Sequence, residues 1–455
     1  MKAAIFNTNI ETILIRCYNT IDAGGHKSTI ILTFMKGNDS MAHNVYVSPE
    51  NSAREERAYR STNGRKRARC KCIIAVCIVA VMITAFGLAC MSPFTPKLVF
   101  SEVYSADGSE IIGYSVRLNE NSQKADVVNI PAQHKNKPVC EIGTDAFRYC
   151  GSLESITIPD SVTRIGSTAF SGCYRLKSIA MPDSVTSIGI GAFYLCTRLT
   201  DVTIPDGVTS IGKSTFTGCR RLESITIPDG VTSIGDEVFL DCVSLVSITI
   251  PGSVTSIGRM AFTDCESLES IIVPDSVGSI GASAFSGCSS IESIAIPDGV
   301  TNIGEYTFER CKCLKDITIP KSVRSIGEMA FYGCESLESI TIPKSVGSIG
   351  DGAFFGCESL ESIVIPDGVT NIGEATFMKC KCLKDITIPG SVGSIGEMAF
   401  YGCESLESIV IPDSVRSIDE NAFKTCRESK IAIRAPHPAE FYGYEPTEYE
   451  EWSME

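Results

Sequence analysis

Ile158-Pro159-Asp160-Ser161-Val162-Thr163-Arg164-Ile165-Gly166-Ser167-Thr168-Ala169-Phe170-Ser171-Gly172-Cys173-Tyr174-Arg175-Leu176-Lys177-Ser178-Ile179-Ala180 is one turn of a pattern that returns every 23 residues. A phenylalanine recurs thirteen times at that interval, from Phe147 to Phe423, and a cysteine follows each one three residues later. A fixed period of this length specifies a repeat solenoid, in which one unit cannot bury its apolar face alone and is stabilised by the units stacked on either side. Function is then to be sought on a repeating surface.

Within the unit, Leu176, Ile179 and Met181 are spaced as in a short strand whose alternate residues point inward. The proline that closes each run has no backbone donor and ends a strand of about five residues. Pro-Asp-Ser and Pro-Asp-Gly then suit a tight turn, after which Val162 and Ile165 re-enter the core. Gly166 recurs from Gly189 to Gly396 and is replaced once, by Asp419. Aspartate is among the few residues that tolerate a left-handed backbone, so this column is expected to hold positive φ. Ala-Phe-x-x-Cys, too short for a packed helix, reads as a helical turn closing the coil. Thirteen rungs stack to roughly 60 Å, with about seven apolar side chains per rung, ample for a cooperative core.

These residues resemble the BspA-like leucine-rich repeats, a family of bacterial and protist surface proteins whose units look like Ile-Pro-Asp-Ser-Val-Thr-Ser-Ile-Gly followed by Ala-Phe-x-Gly-Cys. The resemblance implies a leucine-rich-repeat arc built from a parallel sheet of short strands, turns and short helical turns. It also implies a surface or secreted protein used in adhesion, and it carries no catalytic residues. Tyr114, Val116 and Leu118 with Ile130-Pro131 resemble the family's entry segment, and Pro131 to Pro159, five residues longer than the other intervals, marks an insertion. Ile431, Ile433 and Ala435-Pro436 resemble the closing strand. The chain divides into residues 1–72, 73–91, a linker and cap at 92–138, repeats at 139–434 and a closing cap with an acidic, aromatic tail at 435–455.

Residues 73–91 form an uncharged apolar run long enough to cross a bilayer as a helix. Eight arginines and lysines lie between Arg54 and Lys71, whereas only Lys97 is close on the far side. The positive-inside rule therefore puts the N-terminus in the cytoplasm and the repeats outside, making 73–91 a single-pass signal anchor in the cell membrane. Residues 1–72 read as a basic, largely disordered cytoplasmic tail, with Met41 an alternative start. The other reading is a secreted lipoprotein cleaved ahead of Cys90 at Gly87-Leu88-Ala89-Cys90.

Of the twenty-one cysteines, thirteen form the ladder from Cys150 to Cys426. Parallel side chains on stacked coils do not point at each other, and an odd number cannot pair completely, so buried free thiols are expected. Cys311-Lys312-Cys313 and Cys380-Lys381-Cys382 lie 69 residues apart, three rungs or roughly 14 Å, beyond the reach of one zinc. They mark a duplicated block, residues 297–365 against 366–434. Outside the membrane run, the only histidines of the exported part are His134 and His437, at opposite ends of the solenoid, so a recurring Ser-His-Asp arrangement has no base. No phosphate-cradling glycine run is present. A non-enzymatic protein with no cofactor and no metal is expected.

The outward strand residues are the candidate contact surface: Glu154, Ser155 and Thr157; Glu223, Ser224 and Thr226; Lys315, Asp316 and Thr318; Glu338, Ser339 and Thr341; Lys384, Asp385 and Thr387. These columns read as nearly invariant, which favours multivalent contact with an extracellular protein, a glycan or another copy of the chain. The formal charge of −14, carried despite the basic tail, excludes nucleic acid as a partner, since that needs a basic face. The alternative is a passive spacer or coat protein whose length matters and which has no specific ligand.

Overall fold

The computed structural model describes residues 96–424, 426, 431–447 and 450–454, and, by backbone pairing alone, four strands within residues 3–47. The latter, Ala3–Thr8, Glu11–Asp22, Gly25–Phe34 and His43–Val47, pair antiparallel in chain order and belong to a separate unit. They fall inside the stretch that the sequence offers as a largely disordered tail. The apolar run 73–91, with its expected transmembrane helix, lies outside the described residues. Among the described residues no helix is long and apolar enough to cross a membrane.

From Phe94 onward the chain is a second unit, a parallel β-solenoid. Each rung supplies one front strand, such as Ser155–Thr157, Ser178–Ala180 or Asp201–Thr203, and partners sit 23 residues apart, as in Ile179 against Val202. The front strands are three residues long at most between Ser155 and Val410, shorter than expected, because the leucine and the pre-proline isoleucine already belong to the bends. In the three-residue strands the middle residue is buried and its neighbours face solvent, as in Ser224–Thr226, except in Asp385–Thr387, where Ile386 is half-buried. A second parallel sheet, not anticipated, follows the proline turn: Arg164–Ile165 pairs with Ser187–Ile188, and equivalent two-residue strands continue to Ser417–Ile418. The turn between the sheets is closed by Val162 N–H donating to the Pro159 carbonyl at 3.0 Å.

The back of the coil is not a helical turn. The N–H groups of Thr168, Phe170 and Gly172 leave their own coil and donate to Ile190, Ala192 and Tyr194 of the next rung at 2.7–2.8 Å. From Phe147 to Phe400, two left-handed residues per rung turn these groups along the stack, one two positions before the phenylalanine and one two positions after it, as at Thr168 and Gly172, or Met260 and Asp264. A helix would spend the same donors inside one coil. The column glycine, by contrast, has negative φ. A Cβ on Gly189 would lie 2.4 Å from the Ser167 backbone nitrogen, and one on Gly166 would lie 2.5 Å from that of Thr144. Close backbone approach, not positive φ, explains most of the column; at Gly212 nothing lies nearer than 3.7 Å, and at Gly373 the crowding atom is Asp351 Oδ1. Where Asp419 replaces the glycine, its carboxylate accepts from the Asn421 N–H at 3.0 Å and Asn421 is not left-handed, so the corner is rebuilt.

The phenylalanines form one continuous stack, with ring centroids 5.3–5.7 Å apart and successive planes mostly within 2–4°. Nearly parallel rings related by translation report the local rung spacing. It exceeds the ~4.8 Å of paired strands, so the stack lies on the wider, convex side and the front sheet on the concave side. Tyr444 closes the ladder, edge-on to Phe423 at 6.0 Å and buried. From Cys173 to Cys426 each ladder thiol donates to the phenylalanine carbonyl of the preceding rung, as Cys173 to Phe147 at 3.1 Å, while Cys150 in the first rung faces the Arg148 carbonyl. The phenylalanine carbonyl also accepts from the N–H of its own cysteine, so both of its lone pairs are used.

At the N-terminal end, the hairpin Leu98–Tyr104 with Ile111–Leu118 starts the second sheet, while Val127–Asn129 starts the front one. The extra residues before Pro159 form a second hairpin, Gln133–His134 against Lys137–Ile142, turned by Lys135 and Asn136, both left-handed, the geometry of a type I′ turn. At the C-terminal end Ile431–Ala435 adds the closing strand, and Glu450–Met454 pairs beyond it.

Candidate functional site

The candidate residues all project from the front sheet, and all are exposed except Glu154, which is half-buried. They do not converge on a pocket. Glu154 and Lys384 are ten rungs apart, so the surface is a strip roughly 48 Å long. Its alternation follows from strand geometry: once Ile156, Ile225, Ile317 and Ile340 are buried, their neighbours must face out.

Several of these side chains are engaged within the molecule. Lys177 and Arg175 both pair with Glu154, the former at 3.1 Å, and the Lys177 hydrogen bond followed by the Arg175 charge holds the Glu154 carboxyl below its ordinary value. Lys315 pairs with Glu292 and Lys384 with Glu361, each at 3.3 Å and each with the preceding rung. One rung edge over, Lys312 pairs with Glu335 and Lys381 with Glu358. The strip is also less uniform than its sequence suggests. The column holding Thr157 and Thr226 carries Ile272, Val364 and Val410 elsewhere, 78%, 69% and 54% exposed. A shallow groove of about 230 Å³ between Val410–Asp413 and Arg434–Pro436 lies at its end, below the size of typical small-molecule sites.

The groups suited to other chemistry are placed apart. His134 stacks on Phe100 at 4.1 Å and meets Tyr114 edge-on, while His437 packs on Phe441 at the other end. Among the described residues no cluster of three or more His, Cys, Asp or Glu could hold a metal ion. The described cysteines are free thiols; the thirteen of the ladder are buried, whereas Cys313 and Cys382 are exposed. Burial pushes the ladder thiols up, Cys150 to about 11 and Cys196 and Cys426 to about 12, which keeps them protonated donors and poor nucleophiles.

A second surface lies on the back corner, outside the strand columns that the sequence pattern singles out. The residue after the glycine column, including Asp419 in its last place, is Glu305, Glu328, Asp351, Glu374, Glu397 and Glu420 in six successive rungs, all exposed. In the six rungs before them it is Ser167, Ile190, Lys213, Asp236, Arg259 and Ala282. Beside this column runs a half-buried apolar stripe, with Tyr332, Phe355, Met378 and Tyr401 following the ladder phenylalanines and Tyr306, Met329 and Met398 preceding them. Tyr306 connects the two. Its hydroxyl donates to Glu328 Oε1 at 3.1 Å, and this bond, with the charges of Glu328, Glu309 and Glu305, raises its phenol above the ordinary value. Reading the residue after Gly304, Gly327 and their successors down the chain would have found the column.

The model of the BspA type leucine rich repeat region matches this chain in three overlapping stretches, residues 140–268, 233–355 and 301–430. Among solved structures, a leucine rich cell surface protein from Faecalibacterium prausnitzii is 32% identical, with 77% of this chain and 97% of that one covered and a TM-score of 0.52. A leucine-rich repeat protein from Bacteroides ovatus is 30% identical, covering 79% of this chain and 98% of its own, with a TM-score of 0.58. None of the curated proteins matches.

Proposed function

The chain belongs to the BspA-type leucine-rich repeat family, and we propose that it is a membrane-anchored cell-surface protein that binds extracellular protein or glycan, in adhesion, without catalysis. The observation that carries this reading is the front strip: exposed carboxylates and hydroxyls recur rung after rung over a rigid parallel sheet. Many weak, similar contacts at fixed spacing give avidity toward a partner that is itself extended or repetitive. The apolar run 73–91 behind its basic flank supports anchoring with the repeats outside, and the similar Faecalibacterium prausnitzii protein is described as a cell surface protein. Intact-mass analysis of the mature N-terminus tests the anchor, because a chain beginning at a lipidated Cys90 would replace it with the lipoprotein alternative.

Screening the full chain against arrays of matrix proteins and glycans is expected to find a saturable ligand, and a screen with none sinks the adhesive reading. The inter-rung pairs that occupy Lys177, Lys315 and Lys384 favour a second reading, a passive spacer. Deleting residues 297–365 separates the two: graded loss of ligand binding supports adhesion, whereas unchanged binding with reduced surface height supports the spacer.

A further inference from the structure

The back corner of the C-terminal rungs carries apolar side chains that the core does not need. Tyr332, Phe355, Met378 and Tyr401 sit outside the buried phenylalanine stack, half-open to solvent, and Tyr332 and Phe355 touch each other at 4.9 Å. Aromatic and methionine side chains offer adaptable contact area at a binding surface. Alongside them, among the described residues, none of the six carboxylates from Glu305 to Glu420 makes an ion pair. Glu328 accepts from the Tyr306 hydroxyl and Asp351 from the Glu374 N–H at 3.0 Å, but like charges one rung apart still repel, and among the described residues no cation pairs with them.

The occupant is indicated by charge and by what the molecule already places on these rings. Arg310 lies over the Tyr332 ring at 5.8 Å and the Lys379 ammonium over Phe355 at 5.7 Å, so the exposed rings accept cations on their faces. One carboxylate per rung is too dispersed for a metal site. Five rung intervals of 5.4–5.6 Å separate Glu305 from Glu420, roughly 27 Å, the length of about eight residues of extended chain. We propose that the aromatic stripe and the carboxylate column beside it form a docking strip for an extended, arginine-rich segment of a partner protein. The strip lies on the opposite side of the coil from the front sheet, so it does not depend on the front-sheet reading.

The test is fluorescence anisotropy of labelled deca-arginine, deca-lysine and tetra-arginine titrated with the full chain. Deca-arginine is expected to saturate at one peptide per chain, to weaken as salt is added, and to bind more tightly than deca-lysine, which cannot stack its head group. Tetra-arginine should bind far more weakly because it spans only half the strip. The combined variant Glu328→Gln, Asp351→Asn, Glu374→Gln and Glu397→Gln should lose roughly twofold per carboxylate, about fifteenfold together, with a thermal midpoint no lower than that of the parent. Tyr332→Ser with Phe355→Ser should erase the preference for arginine. Substitutions in the proline turns, Asp206→Asn, Asp229→Asn, Asp275→Asn and Asp298→Asn, all exposed, should leave binding unchanged. Equal losses from the turn and back sets would reduce the effect to attraction by the net charge of −14, and full displacement by calcium at matched ionic strength would assign the column to a metal. Either result overturns the proposal.

Discussion

Raising the pH should unfold the solenoid through its own cysteine ladder. All thirteen ladder thiols are buried, and burial raises each above its ordinary value, Cys150 to about 11 and Cys196 and Cys426 to about 12. In the unfolded chain the same thiols titrate near 8.5. Between those values the folded state keeps a proton that the unfolded state has lost, so each thiol's contribution is complete below about pH 8.5 and disappears as pH rises toward the folded value. The slope approaches about 1.4 kcal/mol per pH unit per thiol. Integrated over the ladder, the loss reaches about 11 kcal/mol at pH 9.0 and about 18 kcal/mol at pH 9.5, comparable with the whole stability of an ordinary domain. Urea midpoints followed by circular dichroism from pH 7.5 to 9.5, in a phosphine reductant, should fall steeply across a range in which lysine and tyrosine barely titrate. The triple variant Cys242→Ala, Cys265→Ala and Cys288→Ala starts less stable but should show a pH slope about a quarter shallower. A midpoint that stays flat between pH 7.5 and 9.5 refutes the reasoning.

Other perturbations test the remaining parts of the coil. Phe285→Ala, in mid-stack with rings at 5.5 and 5.7 Å on either side, should cost about 3–5 kcal/mol in urea unfolding. Gly281→Ala places a Cβ 2.5 Å from the Arg259 backbone nitrogen and should destabilise by more than 1 kcal/mol, whereas Gly252→Ala meets nothing within 4 Å and should be neutral or stabilising by about 0.5 kcal/mol. Alkylation of the folded chain, read by peptide mass spectrometry, should label Cys313 and Cys382 quickly and the ladder thiols only after unfolding. Removing residues 444–455 strips the buried Tyr444 from Phe423 and the strand Glu450–Met454 from its partner, so the last rungs should lose hydrogen-exchange protection first.

The parts of this fold that sequence revealed are those set by periodicity. Phe170 and its equivalents, Leu176, Ile179 and the proline each recur in register, and each took the expected place in the core or at a bend. What sequence concealed was backbone geometry. Thr168, Glu237, Met260 and Lys379 are left-handed without being glycine or asparagine, because three N–H groups per turn must be aimed at the next rung and that requirement outweighs local preference. Conversely Gly166 carried the residue type of a left-handed corner while serving a steric need, visible only once the neighbouring coil is in place. The acidic, aromatic tail carries no repeat pattern from which its place could be read. There Trp452 donates from Nε1 to the His437 carbonyl at 3.1 Å and its strand joins the sheet.

The candidate surfaces divide along the same line. Front residues were predictable because burying one side of a strand determines the other, yet that same rule makes them weak evidence of function: any solenoid of this repeat must expose something there. The back corner is different. The position after the column glycine holds serine, isoleucine, lysine, aspartate, arginine and alanine in the earlier rungs, so the coil itself does not require a carboxylate. In a solenoid each rung contacts only its neighbours and contributes its outward residue independently. Six successive carboxylates therefore bring mutual repulsion, offset only by the hydrogen bonds that Glu328 and Asp351 accept, beside aromatic rings left half-open to solvent. A repeated local cost that the fold does not need and offsets at two rungs alone is accounted for by a cationic chain that lies along it.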